Sequence, residues 1–500
     1  MKRFVCVAFL VMVSVRVGEA ATCESLLSLS LPSTTVTVAE TVAAGAFTPP
    51  GRGGRGGTAF ASLPSFCRVA VTLKPTPQSD IKAEVWLPSE GWNGKLQVVG
   101  NGAWAGSIGY PAMATAVAAG YAAASTDTGH TGGAENATRN KDVLIDFAHR
   151  AVHETTAAAK RVIDSLYGAA PKLSYFNGCS TGGRQALTAA QRYPDDFDGI
   201  IAGDPAMHGL DLAFGQIWYA QAMTKTPAST IPRDKLTLMH KAVIEACDGN
   251  DGVKDGVLEN PQSCRFDPKV LACPAGASAE AGAACLTAPQ VEAAQQVYGG
   301  ARNSKGKAMF PGLELGSEAG WTPTPVSYAV DLYKYVVYKD PAWNPNTLDA
   351  ERHDSLTKQD EVRLLDASNP DLSPFFRSNG KLLIYHGWSD PGIPARASVD
   401  YYEAARAKTG RAATESLRLF MVPGMGHCGG GDGVTSFDFV SELDRWVTTG
   451  KAPATIPASR VQAGKVERTR PLCAYPQFAV YKGKGDVNDA ASFECRAASK

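Results

Sequence analysis

An excess of charge of either sign is missing from this sequence. Its 49 lysine and arginine residues are balanced by 49 aspartates and glutamates, and no long basic run occurs. That leaves no electrostatic footprint for nucleic acid or an anionic membrane surface. Long apolar runs are missing as well. Beyond the first twenty residues nothing approaches the ~20 apolar residues that a spanning helix needs. The cysteines contain no C-x2-C pair and no histidine at ligand distance from a cysteine cluster, which excludes the usual zinc arrangements. Fifty glycines and 31 prolines show no Gly-X-Y period, so a collagen-like chain is excluded, and no internal repeat is visible.

What is present describes an ordinary soluble globular protein. The chain has 500 residues, 44% of them hydrophobic and 20% charged, enough for two domains or for one large domain with an insertion. Met1-Lys2-Arg3, the apolar run Phe4–Val15 and Gly18-Glu19-Ala20 form a signal peptide pattern, with cleavage expected after residue 20. The run is too short for a membrane anchor, so the mature protein is expected to be secreted or periplasmic, with no membrane partner.

Of the eleven cysteines, Cys6 lies in the signal, and the other ten suit five disulfides in an oxidising compartment. Short loops close cheaply, which favours Cys23–Cys67, Cys247–Cys264, Cys273–Cys285 and Cys473–Cys495. Elimination then pairs Cys179 with Cys428.

From about residue 66 to 205 the chain alternates strand-like and helix-like segments. Strands are predicted at 67–73, 81–86, 96–100, 122–126, 173–176 and 199–202, followed much later by 382–386 and 418–422. Helical periodicity marks 147–167, 183–192, 395–408 and 437–448. The predicted fold class is α/β, a mostly parallel sheet with helices on both faces and a large inserted lid. Core residues 21–205 and 376–500 flank an insertion at 206–375, which enters after one strand and leaves before the next. That places it over the sheet's carboxyl edge, where open α/β folds bind ligands. The Gly-Arg-Gly-Gly-Arg-Gly-Gly run within residues 46–60 reads as an exposed flexible segment, because export argues against an RNA-binding arm.

Chemistry is concentrated at strand ends. Gly178-Cys179-Ser180-Thr181-Gly182 is a G-x-S-x-G turn between a predicted strand and helix, a setting that thrusts a serine hydroxyl toward a cleft. The helix start offers unpaired N–H groups to an oxyanion. Ser180 then needs a base and an orienting carboxylate. His427 sits in a glycine-rich loop after the last strand, and Asp390 follows the strand at 382–386. His386, within that strand, competes as base but reads as a packed core histidine. Asp204, after the strand at 199–202, competes as acid but equally suits a turn. The N–H of Thr181 supplies one oxyanion donor, and Gly102, in the loop after 96–100, is the expected second. A Cys179–Cys428 bond would tie the serine turn to the histidine loop.

In the insertion, Cys247–Val257 gathers three aspartates among glycines. Carboxylates of Asp248, Asp251 and Asp255 with carbonyls of Val253 and Val257 would supply most of a calcium shell, structural and remote from Ser180. Trp218, Trp321 and Tyr328 are aromatics of the insertion that read as its core more readily than as a substrate pocket.

Together these segments resemble the tannase and feruloyl esterase family of α/β-hydrolases, from about Cys23 to Cys495. The resemblance rests on Gly178-Cys179-Ser180-Thr181-Gly182-Gly183-Arg184, on the Asp390 segment and on His427-Cys428. It implies a Ser180–His427–Asp390 triad with a disulfide beside it, a lid with a calcium loop, and five disulfides. It further implies hydrolysis of a small aromatic ester, whether feruloyl, galloyl or mono(2-hydroxyethyl) terephthalate, with Ca²⁺ and no organic cofactor. Asp204 departs from the pattern, standing where the family is expected to carry a small residue. A non-catalytic binding protein on the same fold and an amidase with the same triad are the rival functions.

Overall fold

The computed structural model describes residues 21–50, 58–274 and 284–497. The expected signal peptide and the glycine–arginine run at 51–57 lie outside the described residues.

Nine strands form the central sheet. In chain order they are β1 (Thr34–Val42), β2 (Phe66–Leu73), β3 (Ile81–Pro88), β4 (Lys95–Val99), β5 (Ala122–Thr126), β6 (Leu173–Cys179), β7 (Gly199–Gly203), β8 (Lys381–Gly387) and β9 (Leu417–Val422). Their order across the sheet is β1-β2-β3-β5-β4-β6-β7-β8-β9. Pairing is antiparallel from β1 to β5 and parallel from β5 to β9. All eight predicted strands are present, with ends shifted by a few residues. The ninth, β1, is an edge strand with a single buried residue and the rest exposed or half-buried, so its sequence lacks a clean apolar alternation.

The parallel strands are buried on both faces, and alternate residues feed two cores. Val98, Phe176, Ile200 and Ile384 point into one, covered by the helices Ala151–Tyr167, Thr181–Arg192 and Ala395–Thr409. Val99, Tyr175, Ile201 and Leu383 point into the other, covered by Tyr110–Ala118 and Phe439–Thr449. This period-2 division explains why β5, β7 and β8 read as continuous apolar runs. The predicted helix at 147–167 opens as a wider, π-helical turn, Asp146–Arg150, and is α-helical only from Ala151 to Tyr167. The helix expected from 437 starts at Phe439, because the Asp438 side chain caps it by accepting from the Ser441 N–H.

Between β7 and β8 the chain leaves the sheet and builds helices Gly209–Thr224, Arg233–Cys247 and Ala288–Gly299. Met239, Leu286, Val297 and Trp321 form an apolar cluster made of this segment alone. A second cluster joins its Tyr328 and Tyr333 to Trp104, in the loop after β4, and to Phe147. Trp321 and Tyr328 are buried packing residues, as their composition suggested. After the last long helix, an antiparallel hairpin (Thr455–Gln462 with Lys465–Cys473) and a second pair (Gln477–Tyr481 with Phe493–Ala497) complete the chain.

All five expected disulfides are formed: Cys23–Cys67, Cys179–Cys428, Cys247–Cys264, Cys273–Cys285 and Cys473–Cys495. Among the described residues no helix is long and apolar enough to cross a membrane.

Candidate active site

β6 ends at Cys179 and the next helix begins at Thr181, leaving Ser180 alone on the turn between them with φ 64° and ψ −121°. A non-glycine residue in that region is strained and persists only when its surroundings hold it. Here the Ser180 N–H donates to Gly203 O at 3.0 Å, and its carbonyl accepts from Arg184 and Ala206 N–H at 3.0 and 3.1 Å. The glycines let backbones meet. A Cβ on Gly178 would lie 2.7 Å from the Gly182 backbone, and one on Gly183 would lie 2.3 Å from Gly203 O.

The Ser180 hydroxyl is directed at His427, whose Nε2 lies 2.9 Å from Oγ. His427 Nδ1 lies 2.7 Å from Asp390 Oδ2. Since a carboxylate only accepts, Nδ1 carries the proton and Nε2 is left to accept from the serine. The other oxygen of Asp390 accepts from the Gly392 and Ile393 N–H groups at 2.8 and 2.9 Å. Asp390 is 1% exposed. Burial pushes its carboxyl upward, but hydrogen bonds from His386 and His427 and their charges outweigh it and hold the group below the ordinary carboxylate range. Burial works to lower the His427 imidazole, and the Asp390 hydrogen bond and charge reverse this and raise it.

Gly100 and Asn101 pack on the start of the helix after Ser180, with Gly182 within van der Waals reach. Thr181 Oγ1 donates to Ala103 O at 3.0 Å, and Gln185 Oε1 accepts the Asn101 N–H at 3.0 Å. No acceptor among the described residues takes the N–H of Thr181 or of Gly102. Gln185 was not anticipated from the sequence. Its position, one helical turn beyond Thr181 on the same face, is the signal that marks it.

Two anticipated competitors lie beside the triad. His386 Nε2 is 3.3 Å from Asp390 Oδ2, so this residue is more than core packing: it meets the same carboxylate oxygen as His427. Asp204 contacts neither Ser180 Oγ nor the His427 ring, whose Nδ1 meets Asp390 instead. The residues flanking the triad, Cys179 and Cys428, are bonded to each other.

The acidic loop folds around its own aspartates. Asp248 accepts the N–H groups of Asp255, Gly256 and Val257 at 3.2, 2.9 and 3.3 Å. Asp255 pairs with Arg470, and its carbonyl accepts from Arg468 at 2.8 Å. Burial, with the charges of Asp255 and Asp248 added, pushes the Asp251 carboxyl up to about 7. Glu259, beside them, is pushed up to about 8 by burial and by the charges of Asp251 and Asp255. Crowded, buried carboxyl groups of this kind are what a hard divalent cation relieves, and Asp255 would have to release Arg470 to bind one.

A strained serine at a strand-to-helix turn, with Ser, Asp and His in that chain order on a mostly parallel sheet, defines the α/β-hydrolase class. The family model described as "Tannase and feruloyl esterase" matches residues 67–496. The chain is 36% identical to an uncharacterized esterase of Xanthomonas campestris pv. campestris, over 96% of this chain and 92% of that protein. It is 34% identical to feruloyl esterase C of Talaromyces stipitatus, over 95% and 94%. A crystal structure of feruloyl esterase B from Aspergillus oryzae superposes with a TM-score of 0.88 at 30% identity, covering 95% of this chain and 99% of that one. The chain belongs to the tannase and feruloyl esterase family and is a carboxylic ester hydrolase.

Proposed function

We propose that the protein is an exported serine esterase that hydrolyses esters of phenolic or related aromatic acids. The observation that carries this reading is the unbroken hydrogen-bond chain from Ser180 through His427 to Asp390. His427 Nε2 takes the hydroxyl proton as Ser180 Oγ attacks the ester carbonyl carbon. Asp390 keeps the imidazole in the required tautomer and stabilises its cationic form. Negative charge on the former carbonyl oxygen falls to the N–H groups of Thr181 and Gly102. Collapse of the tetrahedral intermediate expels the alcohol, which receives the proton from His427, and leaves the acyl group on Ser180. Water, deprotonated by the same imidazole, then attacks the acyl-enzyme and releases the acid.

The inserted segment 206–375 serves as a lid that selects the aromatic acid. Asp248, Asp251 and Asp255, with the carbonyls of Val253 and Val257, hold a structural calcium ion that contributes rigidity and takes no part in the reaction. Five disulfides and the basic, apolar and small-residue start of the chain support export.

The test is a panel of methyl ferulate, methyl gallate and a terephthalate monoester, assayed with the native chain and with Ser180→Ala. The variant should retain its melting temperature and lose turnover of every substrate. Turnover that survives in a folded Ser180→Ala protein would refute the mechanism, and hydrolysis of simple aliphatic esters only would refute the substrate class.

A further inference from the structure

All three segments that carry the Ser180–His427–Asp390 chain also converge on one other carboxylate. Asp204 follows β7, is fully buried, and holds a φ of 35°. Its N–H donates to Tyr385 O at 2.9 Å. Its Oδ1 accepts from the Gly387 N–H at 2.9 Å, at the end of the strand that delivers Asp390. Its Oδ2 accepts from the Cys428 N–H at 3.3 Å, in the residue after His427. The same oxygen lies 3.3 Å from Cys179 Sγ, the residue before Ser180. That sulfur is bonded to Cys428 and has no proton to give, so this is a contact and not a hydrogen bond. Two residues on, Ala206 N–H donates to Ser180 O at 3.1 Å.

His386 links this carboxylate to the triad. Its Nε2 faces three acceptors, Ile393 O at 3.1 Å, Asp390 Oδ2 at 3.3 Å and Asp204 Oδ1 at 3.6 Å, so Nε2 carries a proton. Nδ1 meets Ser398 Oγ at 2.7 Å. Every group turned toward the Asp204 oxygens is therefore a donor or a proton-free sulfur. A neutral acid there would have to turn its own proton onto another donor or onto the disulfide.

We infer that Asp204 is a positioning residue of the hydrolytic site: as a carboxylate it pins the backbone of the His427 loop to the end of β8 and, through His386, steadies Asp390. The inference rests on the triad reading above. The charged or titratable groups around Asp204 are His386 and Tyr385 on β8, Asp390 on the loop after it, and His427. Burial raises the Asp204 carboxyl, an effect the His386 charge opposes and the Asp390 charge reinforces, so its proton arrives closer to neutrality than an ordinary aspartate's. Protonation replaces an acceptor with a donor among donors and frees the Cys428 N–H. The imidazole of His427 then loses its fixed distance to Ser180, and misplacement of ~1 Å costs about a hundredfold in rate.

The experiment measures kcat and KM against pH with a soluble phenolic ester, for the native chain, Asp204→Asn and Ser180→Ala. In the native chain the acidic limb of kcat/KM should steepen beyond one proton, because His427 and Asp204 both titrate there. Asp204→Asn should lower kcat by about ten- to a hundredfold with KM within about twofold, and reduce the acidic limb to a one-proton slope. A one-proton limb in the native chain overturns the inference, and so does a folded Asp204→Asn protein with unchanged kcat. The native profile decides the matter even if the variant does not fold. Activity remaining in Ser180→Ala marks the separate failure of the triad reading and removes the inference with it.

Discussion

The sulfur of Cys179 is bonded to that of Cys428, so the residue before Ser180 and the residue after His427 are joined covalently across 249 positions of sequence. Ser180 and His427 therefore cannot separate far. Replacing both cysteines by alanine should cost about 2–4 kcal/mol of stability by releasing a long loop in the unfolded chain. It should also lower kcat more than it changes KM, because the Ser180–His427 distance is no longer held. Denaturant titration with parallel kinetics checks both, and an unchanged kcat would assign the bond to stability alone.

Asp390→Asn keeps the shape of the acid and removes its charge. The amide cannot accept the His427 Nδ1–H while also satisfying the Gly392 and Ile393 N–H groups in the present arrangement. The imidazole then favours the wrong tautomer, and kcat should fall about 10⁴-fold with KM little altered. A loss of only a few fold would transfer the acid role to another carboxylate, with Asp204 first in line.

A histidine latch joins the inserted segment to the loop that carries His427. His240 lies 3.0 Å from Glu318 and 3.4 Å from Asp432. Hydrogen bonds to Asp432 and Glu318 raise its imidazole to about 9, against the lowering effect of burial. A pKa raised on folding means that the proton stabilises the folded state. The contribution is complete below the ordinary histidine value of 6.5 and disappears as pH rises through about 9. The melting temperature should accordingly decline between those limits, and His240→Gln should flatten that decline in a pH series of thermal melts.

Calcium, if it occupies the acidic loop, should stabilise by mass action. Chelation should lower the melting temperature, and added Ca²⁺ should restore it in the native chain but not in Asp251→Asn. The Val257 side chain abuts Gly424 at the start of the His427 loop, so chelation should also reduce kcat modestly. A melting temperature insensitive to chelator would remove the ion from this protein.

Much of the architecture was legible before any coordinates. Strands buried on both faces announce themselves as short apolar runs, and Ser180, Asp390 and His427 each stand just past one of them. Ten cysteines in five chain-local or eliminated pairs were likewise readable, since loop closure ranks the choices. The edge strand β1 and the C-terminal hairpin Thr455–Cys473 were not, because their residues are largely polar and lie at the margin of the sheet or outside it, where no clean apolar alternation is needed. Asp204 and His386 were visible as residues but not as a pair.

Local chemistry, then, belongs to the sequence: which side chains stand at strand ends, which turn demands glycine, which oxygens cluster in one loop. These follow from covalent neighbours and from burial periods of two and 3.6 residues. Only the folded chain decided that Asp390 and not Asp204 meets His427, and that Asp204 instead gathers backbone N–H groups from two other segments. Hydrogen bonds act over about 3 Å, while the residues concerned lie up to 247 positions apart, so the packing of the sheet alone sets which of them touch.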